Sequence, residues 1–351
     1  LRSQHAFHPT LVNLGGGHWL CAYDLGDAVE GLDYGTHRSR SMDDGLTWTH
    51  EGAILTTPTK RRSTHSLRLS QTSAGLVGFG GRFYRSNLNE GLVNRANLGY
   101  VPMELLQVHS SNQGQTWSRP QVITPPLVGP AFETCHGIVE LPSGRWLAPT
   151  STWRGWDGAH PNGDQAVVLI SDDRGHTWPT HSVTFDGRAE GLIHWEQSVV
   201  SLGFDEVLAI SWVYHPASGS HRPNRYAVSH DGGSSFGPPA EIGIQAQTCK
   251  ALHLRNGRLL LAYRRQDQPG LWLSQFQFDG LHWTLTSELP IWGTALASSG
   301  MAGTGTSSDE LSALKFGFPQ MQQADNDEVL LVFWCFEDWS TRIRWVRLRA
   351  A

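Results

Sequence analysis

An eight-residue string is written four times along the chain: "SMDDGLTW" from Ser41, "SSNQGQTW" from Ser110, "SDDRGHTW" from Ser171 and "SHDGGSSF" from Ser229. Repetition at this interval marks a chain built by stacking one small unit, because such a unit buries its apolar face only against a neighbour. A second element recurs alongside it, an apolar strand, a turn and another apolar strand. It reads "HPTLVNLGGGHWLCAY", "HSLRLSQTSAGLVGFG", "HGIVELPSGRWLAPT", "QSVVSLGFDEVLAISW", "KALHLRNGRLLLAYR" and "PQMQQADNDEVLLVFW". Each shows strand-like alternation broken by turn residues, and no segment keeps a long 3.6-residue apolar period. Six β units of about 50 to 70 residues predict an all-β fold, a single six-bladed β-propeller of antiparallel sheets over residues 1–351. Inner strands are expected to begin near Phe7, Ser63, Thr134, Trp195, Thr248 and Gly317. The last unit carries three strands, so it is expected either to remain three-stranded or to borrow a short closing strand from Leu1 to Ala6.

The repeated string reads as a turn. Gly45, Gly114, Gly175 and Gly233 hold a backbone position that side chains would obstruct. Asp43, Asn112, Asp173 and Asp231 can accept bonds from turn amides, supported by the Ser and Thr hydroxyls. Trp48, Trp117, Trp178 and Phe236 anchor the turn in its sheet, and "FDGLHW", ending at Trp283, is a degenerate fifth copy. Four separate copies of one carboxylate do not make one active site, so the strings are scaffold.

Composition narrows the function. Lys and Arg total 27 against 32 Asp and Glu, a net charge of −5, with no basic run to coat a nucleic acid. No stretch reaches the ~18 consecutive apolar residues of a membrane helix, and Leu1 opens no leader-like pattern, so a soluble chain is expected, with no membrane insertion. Compartment and oligomeric state are not legible. Cys21, Cys135, Cys249 and Cys335 lie far apart and read as reduced, mostly buried thiols. No metal-ligand spacing and no nucleotide-binding loop is present, so neither metal nor cofactor is expected.

Propeller sites form at the channel mouth where the inner strands begin. Here those beginnings are His8-Pro9, Thr64-His65, Cys135-His136, Glu196-Gln197, Cys249-Lys250 and Phe318-Pro319, a polar, partly basic ring. Loops above it add Asp24, Asp27, Glu30 and Asp33 from the first unit, and Trp153, Arg154, Trp156, Asp157 and His160 from the third. Aromatics beside Arg and carboxylates suit a sugar, whose faces stack while its hydroxyls and any carboxylate are hydrogen-bonded. His8, His65, His136, Arg154, Asp157 and Lys250 are the candidate binding residues.

The S-x-D-x-G-x-T-W turn and the six units resemble the Asp-box propellers of the sialidase (neuraminidase) superfamily over nearly the whole chain. The resemblance implies a glycan substrate and a site on the face opposite the boxes. It implies Glu30 or Asp27 as acid/base and Glu196 as the carboxylate that supports the nucleophile. It also implies Arg222 or Arg225 and Arg264 or Arg265 as the grip on a sugar carboxylate. Two positions depart from the pattern: His8 stands where its first arginine belongs, and the sixth inner strand offers Phe316 and Phe318 instead of a tyrosine nucleophile. Three readings follow. One is a hydrolase releasing a terminal acidic, sialic-acid-like sugar, with Glu30 or Asp27 as acid and Glu196 as base. The second is a uronate lyase using His65, His136 or Tyr84 while Arg or Lys250 neutralises the carboxylate. The third is a glycan-binding propeller without turnover.

Overall fold

A computed structural model describes residues 4–56, 61–87, 89–279, 282–293 and 315–349. The first sheet holds β1 (His5–Gly15), β2 (His18–Gly26), β3 (Gly35–Ser41) and β4 (Thr49–Ala53). The second holds β5 (Ser63–Thr72), β6 (Gly75–Tyr84), β7 (Met103–Ser110) and β8 (Gln121–Ile123). In the third the inner strand is split into β9 (Ala131–Glu133) and β10 (Val139–Glu140), followed by β11 (Trp146–Trp153), β12 (Gln165–Ser171) and β13 (Thr180–Asp186). The fourth holds β14 (Ile193–Gly203), β15 (Glu206–His215), β16 (Ser220–Ser229) and β17 (Ala240–Glu241). The fifth holds β18 (Ala246–His253), β19 (Leu259–Arg265), β20 (Leu271–Phe278) and β21 (Trp283–Trp292). The sixth holds β22 (Phe316–Gln323), β23 (Val329–Glu337) and β24 (Ser340–Leu348).

Every pairing within the sheets is antiparallel. The innermost strands touch in the order β1, β5, β10, β14, β18, β22 and back to β1, which closes the ring into a six-bladed propeller. Apolar side chains from facing blades bury against each other, as where Val77 and Phe79 of the second blade meet Trp146 and Leu169 of the third. Among the described residues the last blade has three strands; of the expected closing segment Leu1–Ala6, Leu1–Ser3 lie outside them, while His5 and Ala6 open β1 and pair with Gly26 and Leu25 of the first blade. The first strand instead meets the last through side chains, with Thr341 N donating to His5 Nδ1 at 3.1 Å. All four cysteines are free thiols, Cys135 only partly buried.

The boxes sit between third and fourth strands and behave alike. Asp43 accepts from Ser41 Oγ at 2.8 Å, Thr47 N at 2.9 Å and Thr47 Oγ1 at 2.5 Å. Asp173 repeats this with Ser171 and Thr177 at 2.8, 2.9 and 2.6 Å. Each box glycine is left-handed and rests on the preceding blade. A Cβ on Gly175 would lie 2.8 Å from Trp146 and 2.9 Å from Gln107, and one on Gly114 would lie 2.7 Å from Leu20. Neighbouring blades also grip box carbonyls, as Arg40 does to Gln113 O (2.8 Å) and Gln107 to Gly175 O (2.9 Å). The boxes are latches between blades. In the degenerate "FDGLHW" copy His282 N donates to Asp279 Oδ1 at 2.7 Å, while residues 280–281 lie outside the described residues.

Candidate active site at the channel mouth

Four inner strands break register at the same place, at the end remote from the boxes. The irregularities fall between Phe7 and Thr10, Trp195 and Ser198, Gln247 and Lys250, and Gly317 and Gln320. Each contains one non-glycine residue in the left-handed region: His8 (φ 47), Glu196 (φ 49), Thr248 (φ 45) and Phe318 (φ 53). Such bulges re-aim a side chain at a cost in backbone energy, and they cluster at functional sites. His8 and Phe318 each precede a proline within a strand, a sequence sign of a bulge. The second blade keeps an unbroken register, and the third leaves residues 134–138 outside the ladder.

Between the first two blades the mouth is densely bonded around Asp24, although Arg68 Nε finds no hydrogen-bond partner among the described residues. Asp24, 0 % exposed, accepts from Thr36 Oγ1 (2.8 Å), Ser66 Oγ (2.6 Å), Arg68 Nη1 (3.0 Å) and the Tyr34 hydroxyl (3.2 Å). Burial alone would raise its carboxyl, but Arg68, His8 and Ser66 outweigh that and hold it far below the usual carboxylate range. His8 Nδ1 shares a 2.7 Å hydrogen bond with Tyr34 OH and lies 3.4 Å from Asp24 Oδ2. The Arg68 guanidinium stacks over Phe318 at 4.9 Å.

Across the mouth the polar groups are not matched. Glu196 N donates to Glu133 Oε2 at 3.3 Å, and Thr248 Oγ1 donates to Glu196 Oε2. Glu133 is pushed up to about 7 by burial and by the Glu196 charge. Glu30, itself left-handed (φ 53), is pushed up to about 7 by burial, against the pull of Arg85, whose Nη2 donates to the Glu30 and Gly31 carbonyls at 2.5 and 2.9 Å. Lys250 is lowered to about 8 by burial. Arg264, 9 % exposed, is lowered to about 10 by burial, opposed by Glu196. Among the described residues the side chains of Glu30, Lys250 and Arg264 make no hydrogen bond or ion pair. Arg264 is buried and Glu30 and Lys250 are half-buried, so their unpaired polar ends are open to a ligand.

Tyr100, held by its N–H to Arg154 O at 2.9 Å, packs on Trp153, which meets Trp195, beside Glu196, at a tilt with ring centroids 5.4 Å apart. Burial, together with the charges of Glu133, Glu30 and Glu196, pushes the Tyr100 hydroxyl well above the usual tyrosine range. Trp195 also stacks on Tyr214 at 5.3 Å and meets Trp212 at 4.7 Å, giving one wall of the mouth an aromatic lining.

The remaining candidates are placed as follows. His136 is buried with both nitrogens committed, Nε2 to Cys249 O (3.1 Å) and Nδ1 to Gln320 (3.2 Å). His65, lowered to about 4 by burial, accepts from Thr36 N at 3.2 Å. Tyr84 donates to Glu104 at 2.6 Å. Asp27 lies in the turn with Asp33, which accepts from its N–H. Arg154 pairs with Asp164 at 2.8 Å in the third-blade loop, and Asp157 caps a turn at Ala159 N. Arg225 is locked to Glu190 through both nitrogens at 2.7 Å and, with Arg222, lines a separate outer cleft. Arg265 is held by Asp267 and Glu288. The structure thus brings Glu30, Glu196, Lys250 and Arg264 to the mouth, and it adds Arg68, Tyr100, Glu133 and Thr248, which sequence reasoning had not singled out. Of these, Arg68 left one trace, a charge inside the apolar run "LRL".

A family model described as BNR repeat-like domain matches residues 83–326. No curated protein matches the sequence. Among solved structures, a Dyadobacter fermentans protein of unknown function aligns at TM-score 0.71 with 20% identity, covering 99% of this chain and 96% of that one. The NanB sialidase of Streptococcus pneumoniae aligns at TM-score 0.66 with 14% identity, over 99% of this chain and 68% of that one. The Trypanosoma rangeli sialidase in complex with sialic acid aligns at 0.66 and 14%, over 98% and 54%. The model covers more than half of the chain, and with six sheets closed around one channel the protein belongs to the BNR repeat-like family and has the sialidase-type propeller.

Proposed function

We propose that the mouth is the active site of a glycoside hydrolase acting on a terminal acidic, sialic-acid-like sugar. One observation carries this reading: a carboxyl kept protonated near neutrality, Glu30, shares the mouth with the Glu133–Glu196 pair and with two cations that lack protein partners, Lys250 and Arg264. A group near 7 is suited to donate a proton to a leaving oxygen at neutral pH. The cations suit the sugar carboxylate, and the Trp195 wall suits an apolar ring face. Glu196, aimed inward by its bulge and held by Thr248, is placed to serve as base toward water or a second nucleophile. The Tyr100 hydroxyl, protonated and unpartnered among the described residues, is a donor for a sugar hydroxyl.

The histidine-driven elimination draws less support, since His136 has no free nitrogen and one nitrogen of His65 already accepts a backbone N–H. The test offers the protein sialosides and uronate-terminated glycans and follows two products. Free sugar without ultraviolet absorption is expected. An absorbing unsaturated product would establish the lyase instead, and binding without either product would establish a glycan-binding propeller.

A further inference from the structure

The loop from β2 to β3 carries Glu30 and closes on two short turns, Gly31 N donating to Ala28 O at 3.1 Å and Tyr34 N to Gly31 O at 3.3 Å. Glu30 sits between them at φ 53, a left-handed conformation that a residue with a Cβ keeps only where its surroundings enforce it. The enforcing group comes from the next blade. Arg85, 7 % exposed, donates from one nitrogen, Nη2, to two consecutive carbonyls of the turn, Glu30 O and Gly31 O.

Arg85 is itself fixed. It follows the last residue of β6, where Tyr84 N donates to Pro102 O at 2.8 Å and closes the base of the excursion that leads to β7. Further along, that excursion is stitched to the third-blade loop. Tyr100 N donates to Arg154 O at 2.9 Å, Trp153 Nε1 to Leu98 O at 2.7 Å and Asn94 Nδ2 to Trp156 O at 2.7 Å. A strained turn of the first blade is thus gripped by a side chain anchored on the second and third. Arg85 Nε is buried without a hydrogen-bond partner among the described residues, a cost that a smaller donor gripping the same carbonyls would avoid.

We propose that Arg85 is a positioning residue for the acid of the mouth, holding the Glu30 and Gly31 carbonyls so that the Glu30 carboxyl is aimed at the substrate. The inference rests on the reading of Glu30 as the proton donor. The guanidinium also acts through its charge. Glu30 faces Arg85 and Tyr100 from the second blade and Tyr34 from its own loop, and both tyrosine hydroxyls stay neutral. Burial raises the carboxyl and Arg85 opposes it, so the cation keeps the acid from becoming too weak to give up its proton near neutrality.

The test compares Arg85→Gln, which keeps a donor but loses the charge, with Arg85→Lys, which keeps the charge. The Glu30 carboxyl carbon is followed by NMR, assigned by its loss in Glu30→Gln, beside the pH profile of kcat/KM on the best-cleaved glycan. In Arg85→Gln the titration and the alkaline limb of the profile are expected to move up together by about one pH unit. Looser placement should lower kcat about tenfold or more. Arg85→Lys should restore the titration but only part of kcat. A variant that merely loosened the fold and wetted Glu30 would move the titration the other way, toward the ordinary 4.5. If Arg85→Gln does not fold, Arg85→Lys decides alone: lowered kcat with a wild-type titration supports the proposal, and wild-type kcat overturns it. An unmoved or lowered titration in folded Arg85→Gln, or undiminished kcat, overturns this inference and leaves Glu30 as the acid. Full turnover in Glu30→Gln overturns the acid and this inference with it.

Discussion

The two faces of this propeller handle carboxylates in opposite ways. On the box face Asp43 is lowered to about 2 by Thr47 and Ser41, and the same arrangement recurs with Asp173. At the mouth Glu30 and Glu133 are pushed up to about 7, mainly by burial, and they occupy non-equivalent places, one in the loop after β2 and the other at the end of β9. A polar group that the fold needs is satisfied by its own turn and repeated. A group kept for a ligand is left short of partners and occurs once. The strained residues divide likewise: Asp44, Gln113 and Arg174 occupy left-handed turn positions beside box glycines, whereas His8, Glu196, Thr248 and Phe318 interrupt strands.

The comparison can be broken most forcefully at Glu30. Glu30→Gln keeps the shape but cannot donate the proton, and turnover should fall about 10²-fold or more with a normal melting curve. A smaller effect is expected at the cations. Lys250→Met or Arg264→Met should raise KM for acidic glycans by roughly tenfold or more, with kcat less affected. If neutral glycans lost as much, the cations would not be reading the carboxylate.

On the other face the effect should be on stability alone. Gly175→Ala places a methyl group against Trp146 and Gln107 in a left-handed backbone, and the expected loss is about 1–3 kcal/mol. Activity per folded molecule should be unchanged. Loss of activity with an unchanged melting curve would make the box chemical.

The smallest expected effect is a pH dependence. Glu30 holds its proton up to about 7 when folded, against an ordinary 4.5, so folding takes up a proton between those values. Stability therefore falls as pH rises through that window and levels off above it. Glu30→Gln removes the fall, so its melting temperature relative to wild type should be higher at about pH 8 than at about pH 4. A difference that is flat across the window would contradict the shifted carboxyl.

The fold was legible because its signals are local. Alternation in the six hairpins, the box glycines and the three strands after Phe316 all depend on neighbours in sequence. The site was legible only where a family motif or an inner-strand start pointed to it, as at Glu196 and Lys250. Glu133 lies in a split strand whose "FETCHG" does not alternate, and Tyr100 sits in a long loop positioned by Arg154 and Trp153. Arg225 and Arg265 read as free cations because their partners Glu190 and Glu288 become neighbours only on folding.

The central claim, that the mouth is chemical while the boxes are structural, is tested most directly by assaying Glu196→Gln and Asp173→Ala side by side. Each is measured as turnover per folded molecule on the glycan that the wild type cleaves best. The account predicts a loss of about 10²-fold or more for Glu196→Gln with an unchanged melting curve, and near-wild-type turnover with a lowered melting temperature for Asp173→Ala. Near-wild-type turnover in Glu196→Gln, or lost turnover in a normally melting Asp173→Ala, would contradict it.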